Sequence, residues 1–141
     1  MSIFIIVIML ASSLAFGIQF TYSSLFKNPA DSQTLPTDKV LNYELNPSQQ
    51  DLALSKGFTI IKYSSSTNCI ECLSVKSFLE SLTRKYTPQI YAELIDSKEN
   101  SLSIISYRGQ LDIENITSDK VLDSLCQLMS QPPVDCALRN I

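Results

Sequence analysis

A small mixed α/β sheet flanked by helices, preceded by one N-terminal hydrophobic helix, is the fold class this sequence predicts. Three adjacent features predict it. Phe58 to Tyr63 is a β-rich run in which Ile60 and Ile61 are neighbouring β-branched residues, as in a strand covered on both faces. Cys69-Ile-Glu-Cys72 follows the end of that run, and Val75, Phe78, Leu79, Leu82 and Tyr86 then recur at helical spacing. Strand, cysteine pair and helix thus succeed one another directly.

The other elements fall on either side. Residues 3–20 are apolar over about the length that crosses a bilayer, with Ser12, Ser13 and Gln19 as the interruptions. Two fates fit this segment of residues 1–20. A secretory signal peptide would use Ile3 to Leu10 as its apolar core and Ser13-Leu-Ala15 as a small-x-small cleavage site. A retained transmembrane anchor accounts for the apolar run continuing to Phe20. Residues 21–38 turn polar, with Pro29 and Pro36, and read as a linker. The domain is expected over 39–130, followed by a tail over 131–141.

Within the domain, Leu41, Tyr43 and Leu45 alternate with Val40, Asn42 and Glu44 as in a short half-buried strand. Asn46-Pro47-Ser-Gln49 supplies an N-cap, a first-turn proline and a capping-box Gln for a helix over 47–56, and Gly57 is placed at its C′ position. After the helix that begins behind Cys72, Pro88 separates it from a strand over 89–95 whose Ile90, Ala92 and Leu94 are expected inward. Asp96 to Asn100 is turn-like. Runs 102–107 and 110–116 flank Arg108-Gly109 as a hairpin. Thr117 caps a last helix whose apolar side is Val121, Leu122, Leu125, Cys126, Leu128 and Met129, ended by Pro132-Pro133.

The totals narrow the chemistry. At 141 residues the chain holds one domain plus an extension. A net charge of −3 without a basic cluster argues against nucleic acid as a partner. With 0 His, any mechanism must use cysteines, carboxylates or hydroxyls. Four Cys behind an apolar N-terminus suit an oxidising compartment: the secretory lumen, an intermembrane space or the extracellular space. Cys126 and Cys136 bracket Pro132-Pro133, which could fold the tail back for a structural disulfide; a buried Cys126 is the alternative. A four-Cys zinc site is disfavoured by the wide second spacing, so neither metal nor cofactor is expected. Asn115-Ile-Thr117 matches a glycosylation acceptor, although Thr117 is equally explained as the helix cap.

The order β-α-β-(CIEC)-α-β-β-β-α resembles the thioredoxin superfamily over about residues 39–130, and Cys69-Ile-Glu-Cys72 at a strand-to-helix junction carries the resemblance. In layout it is similar to the selenoprotein M and fifteen-kilodalton selenoprotein group, which have a redox pair, a helix and then strands without a cis-Pro loop. The resemblance implies a redox-active or structural disulfide between Cys69 and Cys72. Cys69, at the helix N-terminus, would be the nucleophile and Cys72, one turn in, the resolving thiol. It also implies that the Asp96 to Ser101 connection crosses the end of the central strand, so that Lys98, Glu99, Asn100 and Ser101 join Asn68, Ile70 and Glu71 as walls of the site. Departures from the thioredoxin pattern are Asn68 in place of an aromatic residue, Ile70-Glu71 in place of Gly-Pro, and no proline between Pro88 and Pro132.

Two functions follow as expectations. One is a membrane-anchored or secreted thiol–disulfide oxidoreductase using Cys69 and Cys72. The other is a non-catalytic thioredoxin-like accessory subunit of a membrane protein complex. In both, the partners are proteins and, through residues 3–20, the lipid bilayer, with the C-terminal domain on the oxidising side of the membrane.

Overall fold

The computed structural model describes residues 34–139. In chain order these form β1 (Val40–Leu41), α1 (Pro47–Ser55), β2 (Thr59–Ser65), α2 (Ile70–Lys85), β3 (Ile90–Asp96), β4 (Ser101–Ser106), β5 (Gly109–Asp112), α3 (Ser118–Leu128) and α4 (Val134–Ala137). The strands make one sheet in the order β1-β3-β2-β4-β5. β3 runs parallel to both β1 and β2, whereas β4 is antiparallel to β2 and β5 to β4. The parallel neighbours β2 and β3 are joined through α2, and the antiparallel β4 and β5 by a two-residue turn, as such connections require.

Each face of the sheet has its own apolar cluster, because successive strand residues point to opposite sides. On one face Ile61, Tyr63, Ala92, Leu94 and Ile104 pack with Leu79 and Leu82 of α2 and Val121 and Leu125 of α3. On the other, Ile60 and Tyr91 pack with Leu41, Leu45 and Ala53, beneath α1. Lys39 ties this second cluster to the chain before it: its Nζ lies over the rings of Phe58 and Tyr91 and donates to Tyr91 Oη at 2.6 Å, which in turn donates to Pro36 O. The connection between β3 and β4 is too short to hold a helix, so the β2 and β4 positions beyond α1 are the half-buried Lys62, Ser64 and Ser103.

Local signals explain most boundaries. Asn46 caps α1 in a full capping box with Gln49, Pro47 opens it, and Gly57 follows its end at φ +80, where a side chain would be strained. A Cβ on Gly57 would also meet Ser130 Oγ at 3.2 Å, the same hydroxyl that donates to Gly57 O. Thr117 caps α3 through Lys120 N.

Three expectations need correcting. β1 stops at Leu41: Tyr43 is exposed and Leu45 turns inward, because the chain leaves the sheet there to enter α1. The hairpin turn is Tyr107-Arg108, one residue earlier than expected, since Ser106 pairs with Gly109, whose φ of +138 suits glycine. β5 is also shorter than the run 110–116; its four residues are exposed, and pairing is extended only by Ile113 N donating to Leu102 O. Among the described residues no helix is long and apolar enough to cross a membrane, while the hydrophobic helix expected over 1–20 and the linker up to residue 33 lie outside them.

β3 is buried on both faces, not only on the Ile90, Ala92 and Leu94 side, and this places a carboxylate in the interior. Glu93 is 0 % exposed. Its Oε1 accepts from Leu45 N at 3.0 Å, and Lys62 Nζ stands 3.6 Å from Oε2. Burial raises the Glu93 pKa, opposed by the Leu45 hydrogen bond and by Lys62. A folded-state pKa above the unfolded value means that the folded state holds the proton more tightly. Its contribution is therefore complete below the ordinary glutamate range and is lost as pH rises through the raised value. Glu93→Gln keeps an acceptor for Leu45 N and removes the buried charge. Urea unfolding should show this variant matching the parent in acid and becoming relatively more stable as pH rises towards neutrality; a variant that weakens relative to the parent over that interval would contradict the assignment.

Candidate active site

The end of β2 delivers the cysteine pair to the start of α2. Ser66 O accepts from Cys69 N at 3.2 Å, turning the chain out of the strand. Cys69 has extended backbone angles and is the N-cap of α2, its Sγ accepting from Cys72 N at 3.2 Å. A sulfur here meets unpaired N–H groups and the positive end of the helix, which favour a thiolate when the pair is reduced. Cys69 and Cys72 form a disulfide with an S–S distance of 2.03 Å and a Cα–Cα distance of 5.2 Å. Cys69 is half-buried, whereas Cys72 is 5 % exposed and packs into the α2 face of the core. The outer sulfur is thus the one that a second disulfide can approach.

Ile70 and Leu73, exposed to 84 % and 62 %, project from the first turn of α2 beside the pair. Asn68 and Glu71 are exposed as well. Across the strand end runs the 97–100 connection. Ser97 N donates to Ser65 O at 2.9 Å and Ser66 N donates to Asn100 Oδ1 at 3.2 Å, so the connection is fastened to both residues that lead out of β2. Lys98 and Glu99 point to solvent, and Ser101 pairs with Ser64 in the sheet. Lys76, one turn beyond Cys72, donates to Asp96 Oδ1 at 2.9 Å and pins the start of α2 to the end of β3. The structure therefore gathers Asn68, Ile70, Glu71 and the 97–101 segment around the end of β2, with Ser97 and Asn100 making the hydrogen bonds that hold the segment there.

Two residues near or behind this site were not singled out in the sequence. Ser65 is 0 % exposed, and its Oγ has no hydrogen-bond partner; among the described residues the other buried side-chain polar atom without a hydrogen bond is Glu93 Oε2, which has the Lys62 ammonium 3.6 Å away. Ser65 stands in the run Ser64-Ser-Ser-Thr67, where alternation along β2 was the available signal for its inward position. Lys76, on the solvent side of α2 by helical spacing, is bonded there to Asp96.

Cys126 and Cys136 are bonded to each other, with a Cα–Cα distance of 5.5 Å, joining α3 to α4. They line a cleft of about 460 Å³ beside the C-terminal half of α2, with Phe78, Leu82, Leu122 and Leu125. Asp135 of α4 also accepts from Tyr86 Oη at 2.9 Å and from Lys85 Nζ; these bonds lower the Asp135 pKa and raise that of Lys85. The second bridge is remote from Cys69 and serves to hold the tail on the domain. A Cys126→Ser, Cys136→Ser double variant should lose roughly 2 to 3 kcal/mol of stability, as expected for so short a closed loop. Urea unfolding with and without reductant checks this: an unchanged midpoint in the double variant would contradict it.

No family model matches the chain, and no curated protein matches it significantly. Solved structures do. Thioredoxin O2 from Arabidopsis thaliana in its oxidized state superposes with a TM-score of 0.50 at 14 % identity, over 69 % of this chain and 100 % of that one. Thioredoxin O1 of the same organism gives 0.50 at 13 %, over 66 % and 100 %. A variant thioredoxin from Halobacterium salinarum NRC-1 gives 0.50 at 14 %, over 71 % and 99 %. At these identities the likeness defines the fold, which is thioredoxin-like, and the close Cys69–Cys72 pair stands at its strand-to-helix junction.

Proposed function

We propose that this chain is a thiol–disulfide oxidoreductase acting on protein disulfides or dithiols, held to a membrane or exported by its apolar residues 3–20 and working in an oxidising compartment. One observation carries the activity: the disulfide joins a half-buried helix-capping Cys69 to a buried Cys72. The chemistry runs in two exchanges. The reduced Cys69 thiolate attacks one sulfur of a substrate disulfide, forming a mixed disulfide and expelling the other substrate sulfur as a thiolate. Cys72 then loses its proton and attacks Cys69 Sγ. The Cys69–Cys72 bond forms, and the first substrate sulfur leaves as a thiolate that takes up a proton. The substrate has gained two electrons from the dithiol. Run backwards, the same steps insert a disulfide into a substrate dithiol. Exposed Ile70 and Leu73 offer an apolar margin to a polypeptide substrate. The residue order, with a four-residue 97–100 connection beside the pair and no proline in it, supports a selenoprotein M-like layout within the fold.

A second reading is a non-catalytic accessory subunit of a membrane complex. It is favoured by Glu71, whose carboxylate between the cysteines opposes a second negative charge, and by Asn100 bonded to the strand end where an open substrate groove would otherwise lie.

Cys72→Ala separates the two. Incubated with disulfide-bearing proteins, the variant should accumulate mixed disulfides through Cys69 that disappear on adding Cys69→Ala. The parent should equilibrate with glutathione at a potential above about −300 mV. Absence of mixed disulfides together with a potential well below that value would establish a structural bridge.

A further inference from the structure

Resting on the exchange reading above, we propose that the Ser65 hydroxyl donates a hydrogen bond to the Cys72 sulfur once the disulfide is opened, and so sets the balance between the dithiol and the disulfide.

The position of Ser65 follows from the strand. Side chains alternate along β2, and Ile61 and Tyr63 belong to the same apolar cluster as Cys72, so Ser65 continues that face at the end nearest the pair. The helix lies over this end. Cys72 and Lys76 are one turn apart on α2, Lys76 is bonded to Asp96, and Asp96 is the β3 residue directly opposite Ser65. The start of α2 is therefore tied to the end of the β2–β3 ladder at which Ser65 stands.

Chemistry supplies the second half of the argument. Ser65 is completely buried, yet its Oγ has no partner while the bridge is closed. Its backbone is not deficient: Ser65 O accepts from Ser97 N. An unpartnered hydroxyl in the interior is unfavourable, and a hydrogen bond to an ionised acceptor is among the stronger ones. In the disulfide the Cys72 sulfur is a weak acceptor held in place by its bond to Cys69, and Ser65 Oγ makes no hydrogen bond to it. Two-electron reduction breaks that bond and frees the Cys72 side chain to turn its sulfur, as a thiol or thiolate, towards the hydroxyl as an acceptor. No covalent bond to Ser65 forms and its proton stays on Oγ. The reduced state thus gains a bond that the oxidised state lacks.

Other polar groups are poorly placed for this task. Glu71, Asp96, Lys98 and Glu99 are exposed, and Lys76 is engaged with Asp96. Glu93, the buried carboxylate, faces the opposite side of the sheet, where it accepts from Leu45 N.

The test compares the full-length parent with Ser65→Ala and with Ser64→Ala, whose side chain lies on the other face of the strand. Each is equilibrated in dithiothreitol redox buffers, which are strong enough to reduce even a structural bridge, and the dithiol fraction is counted by alkylation. Ser65→Ala should shift the equilibrium about tenfold towards the disulfide, equivalent to about 30 mV more negative, with Ser64→Ala unchanged. In a Cys69→Ala background, ultraviolet titration of the Cys72 thiol should show a higher pKa when Ser65 is also Ala. Equal potentials for the parent and Ser65→Ala, or an equal shift in Ser64→Ala, would overturn the proposal. A parent that equilibrates only in dithiothreitol and never in glutathione would defeat the exchange reading instead, with the Ser65 comparison still readable.

Discussion

Seven residues of β2, Thr59–Ser65, pair in register with Ile90–Asp96 of β3, while five of the same residues pair on their other edge with β4. This double pairing fixes the central strand, and the placement of every element near the cysteines depends on it. Because Ser65 and Asp96 end the parallel ladder together, the chain leaving β2 and the chain leaving β3 emerge side by side. The first must turn into α2 through Cys69, and the second must cross to β4 within the residues 97–100. Asn100 and Ser97 fasten the crossing to Ser66 and Ser65, and Lys76 to Asp96 fastens the helix.

That geometry sorts the two sulfurs. The first turn of α2 carries Cys69, half-buried, at its cap and Cys72, buried, on the side packed against the sheet. Helix N-terminal N–H groups stabilise negative charge on the outer sulfur, while burial penalises it on the inner one. Exposed Glu71 beside the pair works in the opposite sense to the helix dipole. The apolar Ile70 and Leu73 are exposed on the same turn of the helix.

Much of this was legible in the sequence because the signals were local. Asn46-Pro47 with Gln49 and Gly57 bounded α1, the helical spacing from Val75 to Tyr86 identified α2, and the cysteine pair between a strand and that helix pointed to the thioredoxin-like arrangement. What local patterns could not supply was non-local. Tyr43 alternates correctly for a strand, but the need to start α1 and bring Leu45 N to Glu93 ends β1 at Leu41. Glu93 looked like an outward residue of an alternating strand; it is buried because β1 and α1 cover that face of β3. The Lys76–Asp96 ion pair is non-local too, its partners standing twenty residues apart. Serine is not apolar, so the inward position of Ser65 is signalled only by the alternation that places it on the same face of β2 as Ile61 and Tyr63.

The central claim is that the fold presents Cys69 as the reactive sulfur and shields Cys72. The most direct measurement is the rate at which each cysteine is alkylated in the reduced native protein near neutral pH, resolved by peptide mass spectrometry with Cys126–Cys136 left closed. Cys69 is expected to be modified at least about tenfold faster than Cys72, as its cap position and exposure require. Equal rates, or faster modification of Cys72, would contradict the account.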